Sequence, residues 1–459
     1  MHTGRVIMVF LQLLLSNSLL CLVEAQTNYK ELGIYNITPL FYEILLKPEI
    51  ETNIFRGHCQ ILIRIEEEKQ TIGFHSAVAK IHNAILWKIE SINKTLSSLD
   101  RTRPYEYINA TYKVKDVRFD SHSEIFSLVF DKTIEYGYYV LEIHYFGYFT
   151  TNLEKDGFLR TSISDDGNKR WMIATRTHKT GPQAIFPCWN NSRFKSVFNI
   201  SIRHPADYMA LSNSKVYMSE QYGNDVTNFL STSLVWTTFK STPPVSPYCI
   251  AIVVMPKHDV YNHDQDVTMW SHKSVPQIQF NVAKEFTMKM IKKLKEQNIH
   301  DQCKVEETNY IAVSGLEEEK TITTHAFVVH SLLDTFFIDD QSSVVKKLSV
   351  ARFIAHYLAY QWILRTTHTL YWSSSWLSGA SKFLSVYLLD KVLPEFEVTT
   401  LSVDTVYKNI PLTLEFDSKK ILVDIFTSKS NFTTICKSRN YNEKKLSLKF
   451  FNQSVCTSV

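Results

Sequence analysis

From Tyr42 to about residue 240, apolar and polar positions alternate over short runs divided by turn residues, as in "FYEILLKPEI", "GHCQILIRIEEE", "QTIGFHS", "YYVLEIHYFGYF" and "FNISIRHP". Ile61, Ile63 and Ile65 set against Gln60, Arg64 and Glu66 carry the period of two expected of a half-buried strand. This half of the chain is predicted to be a β-sheet domain. The pattern breaks at Pro243-Pro244 within "STPPVSPYCIAIVVMP", ahead of a buried strand, and the domain boundary is placed there. Beyond it the spacing becomes helical in "VPQIQFNVAKEFTMKMIKKLKEQN" and "VVKKLSVARFIAHYLAYQWIL", and helices are expected to dominate to about residue 393. Residues 394–459 are polar and weakly periodic.

A chain of 459 residues exceeds what one core usually supports, so two or three domains are expected. A net charge of +4 with no dense Lys/Arg cluster argues against a nucleic-acid surface. At the N-terminus, Arg5 precedes "VIMVFLQLLLSNSLLCLV" and then "VEA" ending at Ala25, the small-x-small pattern of a cleaved signal peptide over residues 1–25. The competing reading is an uncleaved signal anchor, but Gln12, Ser16, Asn17 and Ser18 interrupt a run already short for a bilayer. No later segment reads as a membrane span, and the protein is expected to be secreted. Seven sequons support that route: Asn36, Asn93, Asn109, Asn190, Asn199, Asn431 and Asn452. Without Cys21, the remaining cysteines are scattered and lack paired metal-ligand spacing, so one or two disulfides are expected and a zinc ribbon is not.

The stretch "HYLAYQW" lies in the second helical region. In an H-E-x-x-H zinc site, two imidazoles four residues apart project from one helical face and the intervening Glu acts on the metal-bound water. Here His356 is present, Tyr357 stands at the base position and Tyr360 at the second ligand position. With Gln361, Trp362, Trp372, Trp376 and Leu377, this stretch resembles the aminopeptidase N family of gluzincin metallopeptidases. "ITPLFYEILLKPEIETNIFRGHCQILIRI", the block around "FPCW" and "TPPVSPYCIAIVV" extend the resemblance over roughly residues 35–435.

The resemblance implies a multidomain α+β fold: an N-terminal β-sandwich or saddle-like domain over residues 26–243, then a thermolysin-like catalytic domain over residues 244–459. The zinc motif of the second is degenerate, and its C-terminal part is expected to be incomplete. The third-ligand Glu falls on Gly379, and no Glu occurs between Glu319 and Glu395 to replace it. Arg176 takes the position that contacts the substrate amino end, and Thr323 or Thr324 that of the exopeptidase Glu, although an insertion would bring in Glu317, Glu318 or Glu319. Thr427 takes the position of the transition-state Tyr. Cys188 within "FPCW" reads as a structural thiol, and neither G-x-S-x-G nor G-x-G-x-x-G occurs.

One imidazole does not hold zinc where three or four ligands are needed, and loss of the base alone costs about 10²–10⁴-fold in rate. The expected function is therefore a secreted, glycosylated pseudoenzyme without a cofactor that binds a peptide or protein. The alternative is an active zinc aminopeptidase with a rebuilt site drawn from His356, His368 and Asp390 or His325. A third reading is a truncated product without a stable role.

Overall fold

The computed structural model describes residues 34–398 apart from 93–104, 122, 153–156, 166, 177–180, 192–193, 223–232, 258, 264–266, 272–274, 297–307, 315, 317–320, 339–341, 367–373 and 397. Among these residues, with strands numbered in chain order, the largest sheet has eight strands. They run Val216–Tyr222 (β13), Leu234–Phe239 (β14), Val197–Pro205 (β11), Ile37–Glu49 (β1), Ile54–Ile65 (β2), Gly137–Tyr148 (β8), Lys80–Ile92 (β4) and Tyr105–Tyr112 (β5). Only β1 and β11 pair in parallel within this sheet. Lys69–His75 (β3), Ile125–Ile134 (β7) and Val114–Asp120 (β6) form a three-stranded sheet.

The alternation in β2 behaves as the sequence predicts: Ile61, Ile63 and Ile65 enter the main core with Tyr42, Ile44, Leu141 and Ile143. The opposite face is less wet than its polar residues suggest. Gln60 is buried there, and Leu62 joins Phe41, Ile89, Val140 and Val197 in a smaller cluster.

Two glycines make the β2–β8 pairing possible. Gly57 lies directly opposite Tyr145, and Gly147 directly opposite Phe55. A Cβ at Gly57 would sit 2.1 Å from the Tyr145 ring, and one at Gly147 would sit 2.3 Å from the Phe55 ring. Each aromatic ring thus lies over a glycine backbone, the arrangement that compensates a strand for the missing side chain.

A four-stranded sheet follows, in the order Tyr208–Ser212 (β12), Ile252–Pro256 (β15), Asn168–Arg176 (β10) and Gly157–Asp165 (β9). Both of its faces are covered. Ile173, Ile252 and Val254 point into the main core, while Met172, Ala174, Ala251, Val253 and Met255 point into another. That second core is shared with Ile311, Val313, Phe327 and Val329 of a five-stranded mixed sheet. The mixed sheet runs Asp259–His263 (β16), Val267–Ser271 (β17), Thr308–Val313 (β18), Phe327–Ser331 (β20) and Ile322–Thr323 (β19), with β17, β18 and β20 parallel. Its far face, through Val267, Met269, Tyr310 and Val328, carries the helices Asn281–Lys295 (α1), Val344–Thr366 (α2) and Ser374–Val392 (α3).

β15 pairs with β10 and β12, so the strand that follows the Pro243-Pro244 break joins the sheet of the preceding strands through Pro256. One expectation needs correction. The region read as helical also contains β17, β18 and β20, which sequence periodicity misses because strands covered on both faces lose their alternation; every residue of β18 and β20 is buried.

Replacing Gly57 with Ala forces Tyr145 or the strand backbone to move. The expected result is a loss of about 1–3 kcal/mol in stability, read as a lower urea midpoint with an unchanged slope.

Candidate functional site

Helix α2 carries the sequence-predicted site, and its seating follows from its composition. Val350, Ala351, Ile354, Ala355, Leu358 and Ala359 are buried in adjacent pairs four residues apart, so one stripe faces the core. The alanines let the helix approach its neighbours closely. Gln361 and Arg365, one turn apart, tie its C-terminal part to the sheet. Gln361 Nε2 donates to Thr324 O at 2.9 Å and Arg365 Nε to His325 O at 2.7 Å, while an Arg365 terminal nitrogen donates to Thr308 Oγ1 at 2.8 Å. Thr324 itself closes the turn between β19 and β20, its Oγ1 accepting from the Phe327 N–H at 3.0 Å. The fold therefore brings Thr324 and α2 together.

His356, Tyr357 and Tyr360 are half-buried on α2. The His356 ring meets that of Tyr357 edge-on at 4.9 Å, Tyr357 lies 4.7 Å from Phe353, and Phe353 lies 5.0 Å from His330. Burial, and then the Lys382 cation on α3, hold the His356 pKa below its ordinary value. Burial holds the Tyr357 phenol above its ordinary value and therefore neutral. Gly379 lies in α3, and a Cβ built there would meet nothing within 4 Å, so packing does not demand a glycine.

These residues do not fit a zinc ion. The helix offers one imidazole, two phenols at the other motif positions and no side chain at Gly379, beside a lysine whose charge opposes a cation. Among the described residues no group of three His, Cys, Asp or Glu ligands includes His356, His325 or Asp390. His325 is instead buried against Tyr248, with ring centroids 4.6 Å apart. His368, Glu317, Glu318, Glu319 and Thr427 lie outside the described residues.

Two further sequence-predicted positions lie on β10 and β19, strands that contact each other. Arg176 ends β10 opposite Gly157, and Thr323 lies on the edge strand β19. Cys59 and Cys188 are free thiols pushed up by burial, which suits a structural role for Cys188, whereas Cys249 is disulfide-bonded. Among the sequons, Asn36 sits on the turn before β1 with φ 58°. Asn190 Nδ2, the atom a glycan would take, donates to Gln183 Oε1 at 2.7 Å. Asn199 is 1% exposed, with its Oδ1 accepting from Ser241 Oγ at 2.6 Å. That burial leaves no room for a glycan and corrects the expectation at Asn199. Asn93, Asn431, Asn452 and the side chain of Asn109 lie outside the described residues.

A group that the sequence reading missed lies on β2 and β8, where Glu142 contacts both His58 and His144. The Glu-x-His spacing on β8 puts two donors on one strand face. Their meeting with His58 depends on cross-strand register, which sequence spacing does not reveal.

A sheet-rich N-terminal region followed by a mixed sheet bearing this helix pair defines the class. The profile of the Peptidase M1 N-terminal domain matches residues 38–249. Endoplasmic reticulum aminopeptidase 2 of Homo sapiens is 24% identical over 365 residues, covering 79% of this chain and 35% of that protein. Aminopeptidase M1 of Arabidopsis thaliana is 23% identical over 393 residues, 84% of this chain and 41% of that protein. Aminopeptidase A of Gloydius brevicauda is 21% identical over 415 residues, 88% of this chain and 40% of that protein. The chain carries the N-terminal domain of the M1 aminopeptidase family and spans well under half the length of these relatives.

Two predictions follow from the buried histidines and from Gly379. Burial lowers the pKa of His75 to about 4 and of His330 to about 4, and burial with the Arg365 cation lowers that of His325 to about 3. Each binds a proton more readily when unfolded, near its ordinary value of about 6.5. Their contribution to stability is therefore complete above about pH 6.5 and is lost as the pH falls towards 4, by up to about 1 kcal/mol per pH unit for each histidine. Urea midpoints at pH 7 and pH 5 should differ in that direction, and equal midpoints would refute it. Gly379→Ala should raise stability by up to about 1 kcal/mol, since helix propensity improves and no clash arises; thermal melting reads the change.

Proposed function

We propose that this chain is a secreted member of the M1 aminopeptidase family that holds no zinc at the His356 position, binds a peptide or protein and does not cleave it. The observation carrying this reading is the isolation of His356: Tyr357 and Tyr360 are neutral phenols, Gly379 contributes nothing, and no group of three ligands forms around His356 among the described residues. Without a metal-activated water and a carboxylate base, the two terms that drive hydrolysis in such enzymes are both missing. On this reading residues 244–459 belong to the family's catalytic-type domain. Secretion rests on the apolar segment ending at Ala25 and on the sequons outside Asn199.

Binding is supported by the surroundings of the hairpin. β19 is an edge strand of the mixed sheet, which leaves backbone groups for an extended peptide. Among the described residues, Thr323 Oγ1 on this strand and Gln361 Oε1 on α2 are buried without a hydrogen-bond partner. A bound main chain could satisfy both, whereas the half-buried Phe353, His356 and Tyr357 would meet apolar side chains.

The full chain, supplied with zinc, should release N-terminal residues from aminoacyl p-nitroanilides no faster than buffer, and His356→Ala should leave its zinc content unchanged. Metal-dependent turnover that chelation removes, and that His356→Ala also abolishes, would sink the proposal and restore the rebuilt-site enzyme.

A further inference from the structure

The outer face of the β2–β8 pair holds a set of donors distant in sequence from the degenerate helix. The ladder places His58 opposite His144 and Gln60 opposite Glu142, while the intervening Cys59 and Ile143 turn into the main core. His58, Glu142 and His144 therefore share one face. His58 Nε2 lies 2.8 Å from Glu142 Oε1, and His144 Nε2 lies 3.5 Å from the same oxygen. The two imidazoles stack with centroids 4.2 Å apart and planes 6° from parallel. All three ligand atoms fall within 4.8 Å of one another.

Ligands about 2.0–2.1 Å from a tetrahedral zinc ion lie about 3.3 Å from each other, and the two observed separations bracket that value. The carboxylate is also oriented: Trp87 Nε1 donates to Glu142 Oε2 at 3.2 Å, as outer-shell groups do for metal-binding carboxylates. Glu43, opposite Gln60 on β1, adds a second negative charge to the field at His58. The His144 side chain is 47% exposed and provides the approach from solvent.

We propose that His58, Glu142 and His144 form a surface site for a transition-metal dication of the zinc class. Two imidazoles and one carboxylate leave a fourth position for water or a partner's side chain, and imidazole donors favour zinc over magnesium or calcium. The site is separate from the family's peptidase centre and does not depend on the zinc-free reading of His356.

Calorimetric titration of the full chain with ZnCl₂ at pH 7.5, with MgCl₂ and CaCl₂ as controls, tests the proposal. The expected result is uptake of one zinc and no response to the controls. His144→Ala and the isosteric Glu142→Gln should each weaken zinc binding about tenfold or more, while His356→Ala leaves it unchanged. Absence of zinc uptake at millimolar metal, or wild-type affinity in both His144→Ala and Glu142→Gln, overturns the site and leaves the zinc-free reading of α2 standing. Binding that depends on His356 and not on His144 overturns both.

Discussion

The four-stranded sheet β12–β15–β10–β9 is the constraint on which the rest of the molecule depends, because alternate residues of its strands serve two different cores. Ile173 and Val254 belong to the layer beneath the eight-stranded sheet, and Ala174 and Val253 to the layer beneath the mixed sheet. Neither layer can shift without disturbing the other. Polar groups fix the entry to β15: the Asn213 side chain accepts from Ala251 N at 2.7 Å and donates to Cys249 O at 2.8 Å, and Thr175 Oγ1 accepts from Ile252 N at 3.0 Å. Satisfying these buried groups makes the crossing between sheets specific as well as apolar. The position of α2, two layers away, is inherited from this arrangement through β18 and β20.

That layering explains what could be read from the residues alone. β1, β2, β8 and β11 showed themselves through alternation because their two faces meet different surroundings. β18 and β20 did not, because both faces are apolar, whereas β15 is legible as an unbroken apolar run after Pro243-Pro244. At the candidate site, the identities of His356, Tyr357, Tyr360 and Gly379 were legible from motif spacing, since a helix converts spacing directly into a face. The tethering by Gln361 and Arg365 was not, because their partners are backbone and side-chain oxygens some forty residues or more away in sequence. Asn199 shows the limit of a local motif: its sequon is intact, but the sheet buries it.

The surroundings of His356 do not suit a dication. The Tyr357 phenol borders its ring, and Lys382 adds a like charge to that of any metal. Half-buried Tyr357 covers apolar surface with its ring, which is a packing role that a charged base could not fill without a partner. By contrast, the polar outer face of β2 and β8 concentrates imidazoles and carboxylates at a position where solvent can reach them. The two regions have opposite electrostatic character within one chain.

The way α2 is held has a consequence for how such a molecule changes over time. Its anchors are the alanine-containing stripe, the Gln361 amide and the Arg365 guanidinium, and none of these is a metal-ligand position. Where an ion itself pins a helix, each lost ligand would also weaken the fold, and selection would remove the intermediates. Here residues 357, 360 and 379 are not among those anchors, so a change at any one of them leaves the tethering of α2 by Gln361 and Arg365 in place. A lineage built on this scaffold can shed its chemistry gradually and keep its shape available for other work.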